Sequence, residues 1–472
     1  MIFKKTKIIC TLGPATSTVE KIVGLINSGL DLVRLNFSHG DYKTHSEYIS
    51  NVREAEKKTG RIIPIILDLS GPKIRTGNFE NGKIFVSAND EVRLVKDNII
   101  GNGKTIPVND SDIIDDLKIN ERILIDDGKI SLLVISKDND SALCKVFNPG
   151  YISNKKGINL PDTNLSLPSI TEKDIRDIEF GVNNQIDFFA LSFVRKADDI
   201  YSLKKIINSY DVDIPVIAKI ERPEAIANID SIIKATDVIM VARGDLGVEV
   251  SPEKVPAMQK LIISKCNSAK VPVITATQML ESMISNPTPT RAEASDVANA
   301  ILDGTDCVML SAETSVGEYP EITVQMMDRI IEQTEEIKKT KSNYSDFPEN
   351  EPGNVLGIIC KTAVEISDTI SAKAIISITK KGRSPLLLSN LRPESHIIAV
   401  ADEENILRKS SILWGVDTIL NETLSNPEDI FSFIIEIGIK SGILKKGDKV
   451  VAILSYPVVL PDSANTIRIL DI

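Results

Sequence analysis

Eight short, β-branched apolar runs, bounded by polar, glycine or proline residues and mostly separated by helical patterns, fill the first two thirds of the chain. They fall at residues 6–12, 31–37, 64–69, 187–193, 215–220, 237–242, 272–277 and 306–311. Parallel strands need a crossover long enough to hold a helix, so a strand–helix–strand rhythm is the signature of a parallel sheet. Eight such units predict an α/β protein built on a closed (β/α)8 TIM barrel, a fold that carries its chemistry at the C-terminal strand ends. Aromatic residues are only 4% of the chain, so Ile, Val, Leu and Ala must supply the buried mass, as buried parallel strands require.

The third unit breaks the rhythm. Between Leu69 and Leu167 the helical period gives way to period two, as in RILIDDGKISLLVI and SALCKVF, which predicts an inserted all-β domain. An insertion of about 100 residues at the barrel's active face has the geometry of a lid. After the eighth run a helix from about Glu321 leads into the polar stretch NYSDFPENEPGN, of the kind that separates domains. Beyond it, helices at 355–370 and 427–440 and strands at 373–378, 396–401, 416–420 and 449–455 predict an open α/β sheet. The expected domains are a catalytic barrel (1–68 and 168–337), an inserted β-barrel lid (69–167) and a C-terminal α/β regulatory domain (338–472). No internal repeat is visible.

A net charge of −11 without a long basic run gives no general attraction to nucleic acid or to an anionic membrane. No stretch has the length and apolarity of a membrane span or a leader, so a cytoplasmic location is expected. Cys10, Cys144, Cys266, Cys307 and Cys360 stand singly, without disulfide or metal-ligand spacing, and read as buried thiols.

If the barrel is right, the strand ends must be chemical rather than apolar. The second run ends in Arg34, Asn36, Ser38 and His39, the third in Asp68, the fifth in Lys219 and Glu221. The sixth ends in Arg243, Gly244 and Asp245, the seventh in Thr275 and Thr277, the eighth in Ser311 and Glu313. Lys219 and Glu221 share a strand face because side chains alternate. With Asp245 from the next strand they form a hard-oxygen site suited to Mg2+ or Mn2+, and the lack of a His/Cys cluster argues against zinc. RGDLG reads as a strand end, a turn and a helix start, so the N–H groups of Gly244 and Asp245 form a candidate anion nest. Arg34 adds a guanidinium for phosphate. A structural ion pair would explain Lys219 and Glu221 alone, and an ordinary tight turn would explain RGDLG alone; neither explains the set. Together they describe phosphoryl transfer or enolate stabilisation. None of His39, His45 and His396 is placed as an obligate base, so proton transfer falls to metal-bound water or to the hydroxyls of Thr277 and Ser311.

The segments KIICTLGPA, RLNFSHG, GPKIRTG, INLPD, KIERPEAI, VARGDLGVE, ATQMLESM and MLSAETSVGEYP resemble those of pyruvate kinases in order and spacing. The resemblance implies transfer of the phosphoryl group of phosphoenolpyruvate to ADP, with Lys219 neutralising the group in flight and Arg34 holding the phosphate. It implies that Glu221 and Asp245 bind the divalent metal, that Gly244, Asp245 and Thr277 hold the substrate carboxylate, and that Thr277 and Ser311 deliver a proton through ordered water. Asn36, Ser38, Asp68 and Leu69 match a monovalent-cation site. Asn36, His39, Arg75 and Lys196 match nucleotide contacts, and Asp127 on the lid would close over the nucleotide with a second metal. A homotetramer is implied by the resemblance only. Two other readings use the same pocket: a metal-dependent lyase or aldolase acting on phosphoenolpyruvate or pyruvate, and a catalytically silent sensor. A lyase has no need of a nucleotide-closing lid, and a sensor no need of all five of Lys219, Glu221, Asp245, Thr277 and Ser311.

The sequence departs from the family pattern in places. LDLSGPKIR places Leu69, Ser70 and Lys73 where potassium-dependent members resemble LDTKGPEIR, while Thr76 fits the dependent pattern. The expectation is that K+ is not required and that Lys73 supplies its charge. TKKGRSP, with Thr379, Lys380, Lys381, Gly382, Arg383 and Ser384, resembles a loop that cradles an effector phosphate. The companion loop at 457–465 has no glycine, so fructose 1,6-bisphosphate is expected to be a poor activator. No appended phosphohistidine-like domain is expected.

Overall fold

A computed structural model describes residues 4–96, 99–109, 112–337, 354–421, 427–440, 442, 444–455 and 464–472. The eight expected runs are eight strands: β1 (Lys7–Thr11), β2 (Leu32–Asn36), β3 (Ile65–Asp68), β4 (Phe188–Leu191), β5 (Val216–Ile220), β6 (Val238–Ala242), β7 (Val273–Ala276) and β8 (Cys307–Leu310). All pair in parallel and the barrel closes where Lys7 of β1 lies opposite Cys307 of β8. Local signals set the helices. Helix Glu172–Asn183 starts on a capping box between Thr171 and Asp174, and helix Arg291–Asp303 starts on Thr290 and Glu293 and stops at Gly304, φ 101°, a backbone state that glycine adopts without strain.

Alternation along the strands creates two apolar zones. One set packs outward against the helices. The other points into the barrel, with Ile9, Leu32, Ile66, Ala190 and Ile217 among its members, and runs without a break into the C-terminal domain through Ile412 and Leu413. The bottom of the barrel is therefore plugged by the last domain. Around that rim Asp31, Asp187, Asp237 and Asp306 each stand one residue before an even-numbered strand. Each accepts the N–H of a residue that starts the preceding odd strand: Ile8, Ile65, Val216 and Val273, at 2.7–2.9 Å. The barrel thus has a fourfold repeat of contacts that residue identity along the sequence did not reveal.

The insertion is a six-stranded sheet and a two-stranded ribbon around its own apolar core. A short helix, Asp112–Asp116, is the one departure from all-β character there among the described residues. The C-terminal domain is a five-stranded sheet whose last strand, Thr466–Asp471, is antiparallel to Lys449–Leu454. That edge strand and the helices Arg383–Asn390 and Glu404–Ser410 add to the elements read from the sequence. The expected interdomain stretch lies, but for Asn354, outside the described residues, as does most of the glycine-free loop. Among the described residues no helix is long and apolar enough to cross a membrane.

Candidate active site

Two residues beyond the apolar layer inside the barrel, the same alternation turns polar. Ile9, Leu32, Ile66, Ala190 and Ile217 are followed on the inward face by Thr11, Arg34, Asp68, Ser192 and Lys219, and these five touch one another. Arg34 Nε and Nη2 each lie 2.7 Å from Asp68 Oδ2, and Nη1 donates to Thr11 Oγ1 at 3.1 Å. Lys219 Nζ stands 3.3 Å from Asp68 Oδ1, donates to Ser192 Oγ at 2.7 Å, and lies 2.7 Å from Glu221 Oε1. Ser192 in turn donates to Leu69 O at 2.7 Å. Ser192 was not among the residues expected at the site; its position, one alternation past Ala190, was the available signal.

The charges set one another's protonation. Burial works against the Lys219 ammonium, but Asp68 and Glu221 together outweigh it and hold it above the usual lysine range. Burial raises the Glu221 carboxyl, Asp245 adds to the rise, and Lys219 opposes it. Asp68 resists burial because Lys219 and Arg34 both face it, and it stays below the usual carboxylate range. Glu221 Oε2 accepts the N–H of Phe193 at 2.8 Å. Oε1 is buried with the Lys219 ammonium, at 2.7 Å, as its partner.

That carboxylate, with Asp245 close enough to bias both Glu221 and Lys219, suits a hard divalent cation that takes its remaining ligands from water and substrate. Among the described residues no three His, Cys, Asp or Glu side chains form a ready-made cage.

On the neighbouring strands the expected turn at Gly244 is absent: helix Arg243–Val250 begins directly after β6. The N–H of Gly244 is already taken by Thr277 Oγ1 at 2.8 Å. Thr277 has φ 68°, an outlier for a β-branched residue that persists only when its surroundings enforce it. Arg243 does the enforcing, donating to Thr277 O at 2.7 Å while paired with Asp296 at 2.7 Å. Arg243 therefore braces the turn and at the same time lines the cleft beside Gly244. Ser311 Oγ is buried without a partner, and Glu313 accepts the N–H of Ser311 at 2.7 Å.

A cleft of about 900 Å³ separates lid from barrel, with Asp127 and Asn148 on the lid side and Gly244, Asp245, Thr277 and Ser311 opposite. Arg34, Lys219 and Glu221 are not on its lining and are nearly fully buried. His39, Lys73 and Arg75 gather with Arg34 at another side: burial first, then Lys73, Arg75 and Arg34, lower the His39 imidazole. Arg75 is held by Lys155 O at 2.9 Å, and exposed Lys196 pairs with Asp198 at 3.4 Å.

Ser38 donates its N–H to Asn36 Oδ1 at 3.1 Å. The ammonium that reaches this loop is that of Lys173, 2.8 Å from Phe37 O and 3.3 Å from Ser70 Oγ, whereas Lys73 is exposed. Thr76 is occupied by the lid, accepting the N–H of Lys156 at 2.9 Å. In the last domain Thr379 Oγ1 accepts the N–H of Gly382 at 3.0 Å and of Lys381 at 3.4 Å, Lys380 pairs with Asp402, and Ser384 bonds Ser377 at 2.8 Å. Arg383 is exposed.

Buried cations converging with carboxylates at a barrel mouth, beneath a lid, are suited to neutralising a phosphoryl group as it moves, which places the chain among barrel-based phosphotransferases. The description "Pyruvate kinase, barrel domain" matches residues 3–324, and "Pyruvate kinase, alpha/beta domain" matches residues 358–470. Pyruvate kinase of Geobacillus stearothermophilus is 43% identical over 99% of this chain and 80% of its own length. That of Bacillus licheniformis is 42% identical over 95% and 77%. A crystal structure of a pyruvate kinase from Cryptosporidium parvum superposes with a TM-score of 0.94 at 39% identity, over 99% of this chain and 96% of that one. The chain belongs to the pyruvate kinase family.

Proposed function

We propose that the chain breaks the P–O bond of phosphoenolpyruvate, forms a new one to the terminal phosphate oxygen of ADP, and protonates the enolate left behind, giving ATP and pyruvate. The observation that carries this reading is Lys219, a buried ammonium held by Asp68, Ser192 and Glu221 beside Arg34. Two fixed cations in a low-dielectric site stabilise charge on a transferring phosphoryl group without reorganising at the moment of reaction. Arg34 binds the phosphate and Lys219 follows it in flight. A substrate carboxylate takes the place of Thr277 Oγ1 on the N–H of Gly244, which opens a lone pair on the Thr277 hydroxyl while it still donates to Ala276 O at 2.7 Å. That hydroxyl and the unpartnered Ser311 Oγ then supply the proton route to the enolate carbon. Glu221 and Asp245 would hold Mg2+ or Mn2+, which when bound supplies a Lewis acid for phosphate oxygens. Asn36, His39, Arg75 and Lys196 receive ADP, and Asp127 closes from the lid. The three expected domains act as barrel, lid and regulatory unit; cytoplasmic residence and a homotetramer rest on family membership. The test is one mixture of enzyme, phosphoenolpyruvate, ADP and Mg2+. Equal amounts of pyruvate and ATP are expected, and a mixture that makes no ATP would favour the lyase.

Potassium is not required in this reading, because Asp68 already faces two cations and Lys73 and Lys173 bring two more to the rim and loop beside it. Activity in Mg2+ and tetramethylammonium salts at constant ionic strength should change little on adding KCl; a large rise would overturn this. A monophosphate at Thr379, Lys380, Lys381, Gly382, Arg383 and Ser384 is the regulatory ligand that the loop favours, with fructose 1,6-bisphosphate a poor activator.

A further inference from the structure

Glu249 stands one turn beyond Asp245 on the helix Arg243–Val250 and is 4% exposed. Its Oε1 accepts a 2.8 Å hydrogen bond from Asn159 Nδ2 of the lid strand Ile158–Asn159, while Oε2 is buried with no partner. Arg222, a cation in its field, points its Nη2 to Leu160 O and Thr163 O of the returning lid segment, at 3.3 Å each. The lid also approaches the same helix beside Asp127, where a Cβ added at Gly128 would lie 3.8 Å from Val248 Cγ1. The lid thus rests on the helix whose first turn carries Gly244 and Asp245.

A carboxylate buried with one oxygen satisfied is a costly arrangement. A lid that lifted would take Asn159 with it and let water reach Glu249, so hydration of the carboxylate would offset the bond lost. We propose that Glu249 is a positioning residue for the reaction, a latch through which lid closure over the nucleotide seats the helix start that holds Gly244 and Asp245. This rests on the reading given under Proposed function.

The experiment measures kcat and the KM values for ADP and phosphoenolpyruvate in Asn159→Ala, Glu249→Ala, their double variant and Glu249→Gln. Loss of one charged hydrogen bond should raise KM for ADP about tenfold in each single variant. KM for phosphoenolpyruvate should rise as well, by a smaller factor, because the same helix start carries the Gly244 N–H, and the double variant should be no worse than the worse single, because coupled partners are not additive. Glu249→Gln keeps an oxygen for Asn159 without the buried charge and should remain within about threefold of wild type. Unchanged KM for ADP in Asn159→Ala, or losses that multiply in the double variant, would overturn the latch. Should Glu249→Ala fail to fold, Asn159→Ala, on the lid, decides alone. A wild type that makes no ATP would instead sink the functional reading.

Discussion

At the bottom of the barrel Asp31, Asp187, Asp237 and Asp306 each join a strand N–H to a neighbouring cation: Lys4 and Arg61, Arg53 and Arg408, Lys204, and Arg392 respectively. None of these four carboxylates leaves a buried oxygen without a partner, whereas at the mouth Glu249 does, and Ser311 leaves its hydroxyl so. Both ends bury charge among the same parallel strands. The difference is who completes the bonding. For the four bottom carboxylates the protein does, and the result is structure; at the mouth an unpartnered Glu249 oxygen, the Ser311 hydroxyl and a strained Thr277 remain, which is how sites differ from scaffolds.

The comparison predicts that mouth variants lose activity before stability and that bottom variants do the reverse. The largest effect should be Lys219→Met, with kcat lower by on the order of 10³ through loss of a charge-stabilising donor; turnover close to wild type would erase the distinction. At the other end Asp306→Ala strands Arg392 and the N–H of Val273. Breaking such a buried pair should cost about 3–5 kcal/mol, seen as a clear fall in thermal midpoint with kcat per folded enzyme nearly unchanged. Glu221→Gln and Asp245→Asn should each raise the Mg2+ concentration for half-maximal rate by about tenfold, since each removes a charged oxygen ligand. An unmoved metal titration would take that residue out of the metal shell.

Acid should probe the bottom again. Burial pushes His396 down to about 4, against Asp417 and with Lys5, Lys373 and Lys7 nearby. The unfolded imidazole binds its proton first, so stability from the neutral form is full above about pH 6.5 and lost as pH falls toward 4. His396→Gln should flatten that part of the thermal midpoint's pH profile; an unaltered slope would assign it to carboxylates. The smallest effect is Thr277→Gly, which relieves the positive φ and should change stability by no more than about 1 kcal/mol, while the missing hydroxyl lowers the rate.

The barrel was legible because its signals are local: β-branched runs, flanking prolines and period-two alternation place Lys219 and Glu221 on one face. The chemical set at the strand ends was legible for the same reason. What stayed hidden depends on partners far along the chain. Ser192 is an ordinary serine until Lys219 arrives from the next strand, and Lys173 reaches the Phe37 carbonyl across 136 positions. The brace of Arg243 on Thr277 and Asp296, and the four rim aspartates, are likewise contacts between elements. The edge strand Thr466–Asp471 is half polar outward, which leaves it only a weak apolar pattern.

The spacing of the rim aspartates bears on the order in which the chain can set while it is being made. Three of the four contacts close loops of 23, 21 and 33 positions, so those strand pairs can fasten as soon as they emerge. The fourth, Asp187 to Ile65, spans 122 because the lid lies within it. At roughly 5–20 residues per second, Ile65 waits about 6–24 s for its carboxylate. The lid strands, all between Lys83 and Asn159, are complete before that fastening is possible. β1 waits longer still, with an unpaired edge until Cys307 appears, and an unpaired edge invites association with other chains. In a nascent chain the hazard therefore sits at the first strand, and the growing protein is protected there only when its last barrel strand arrives.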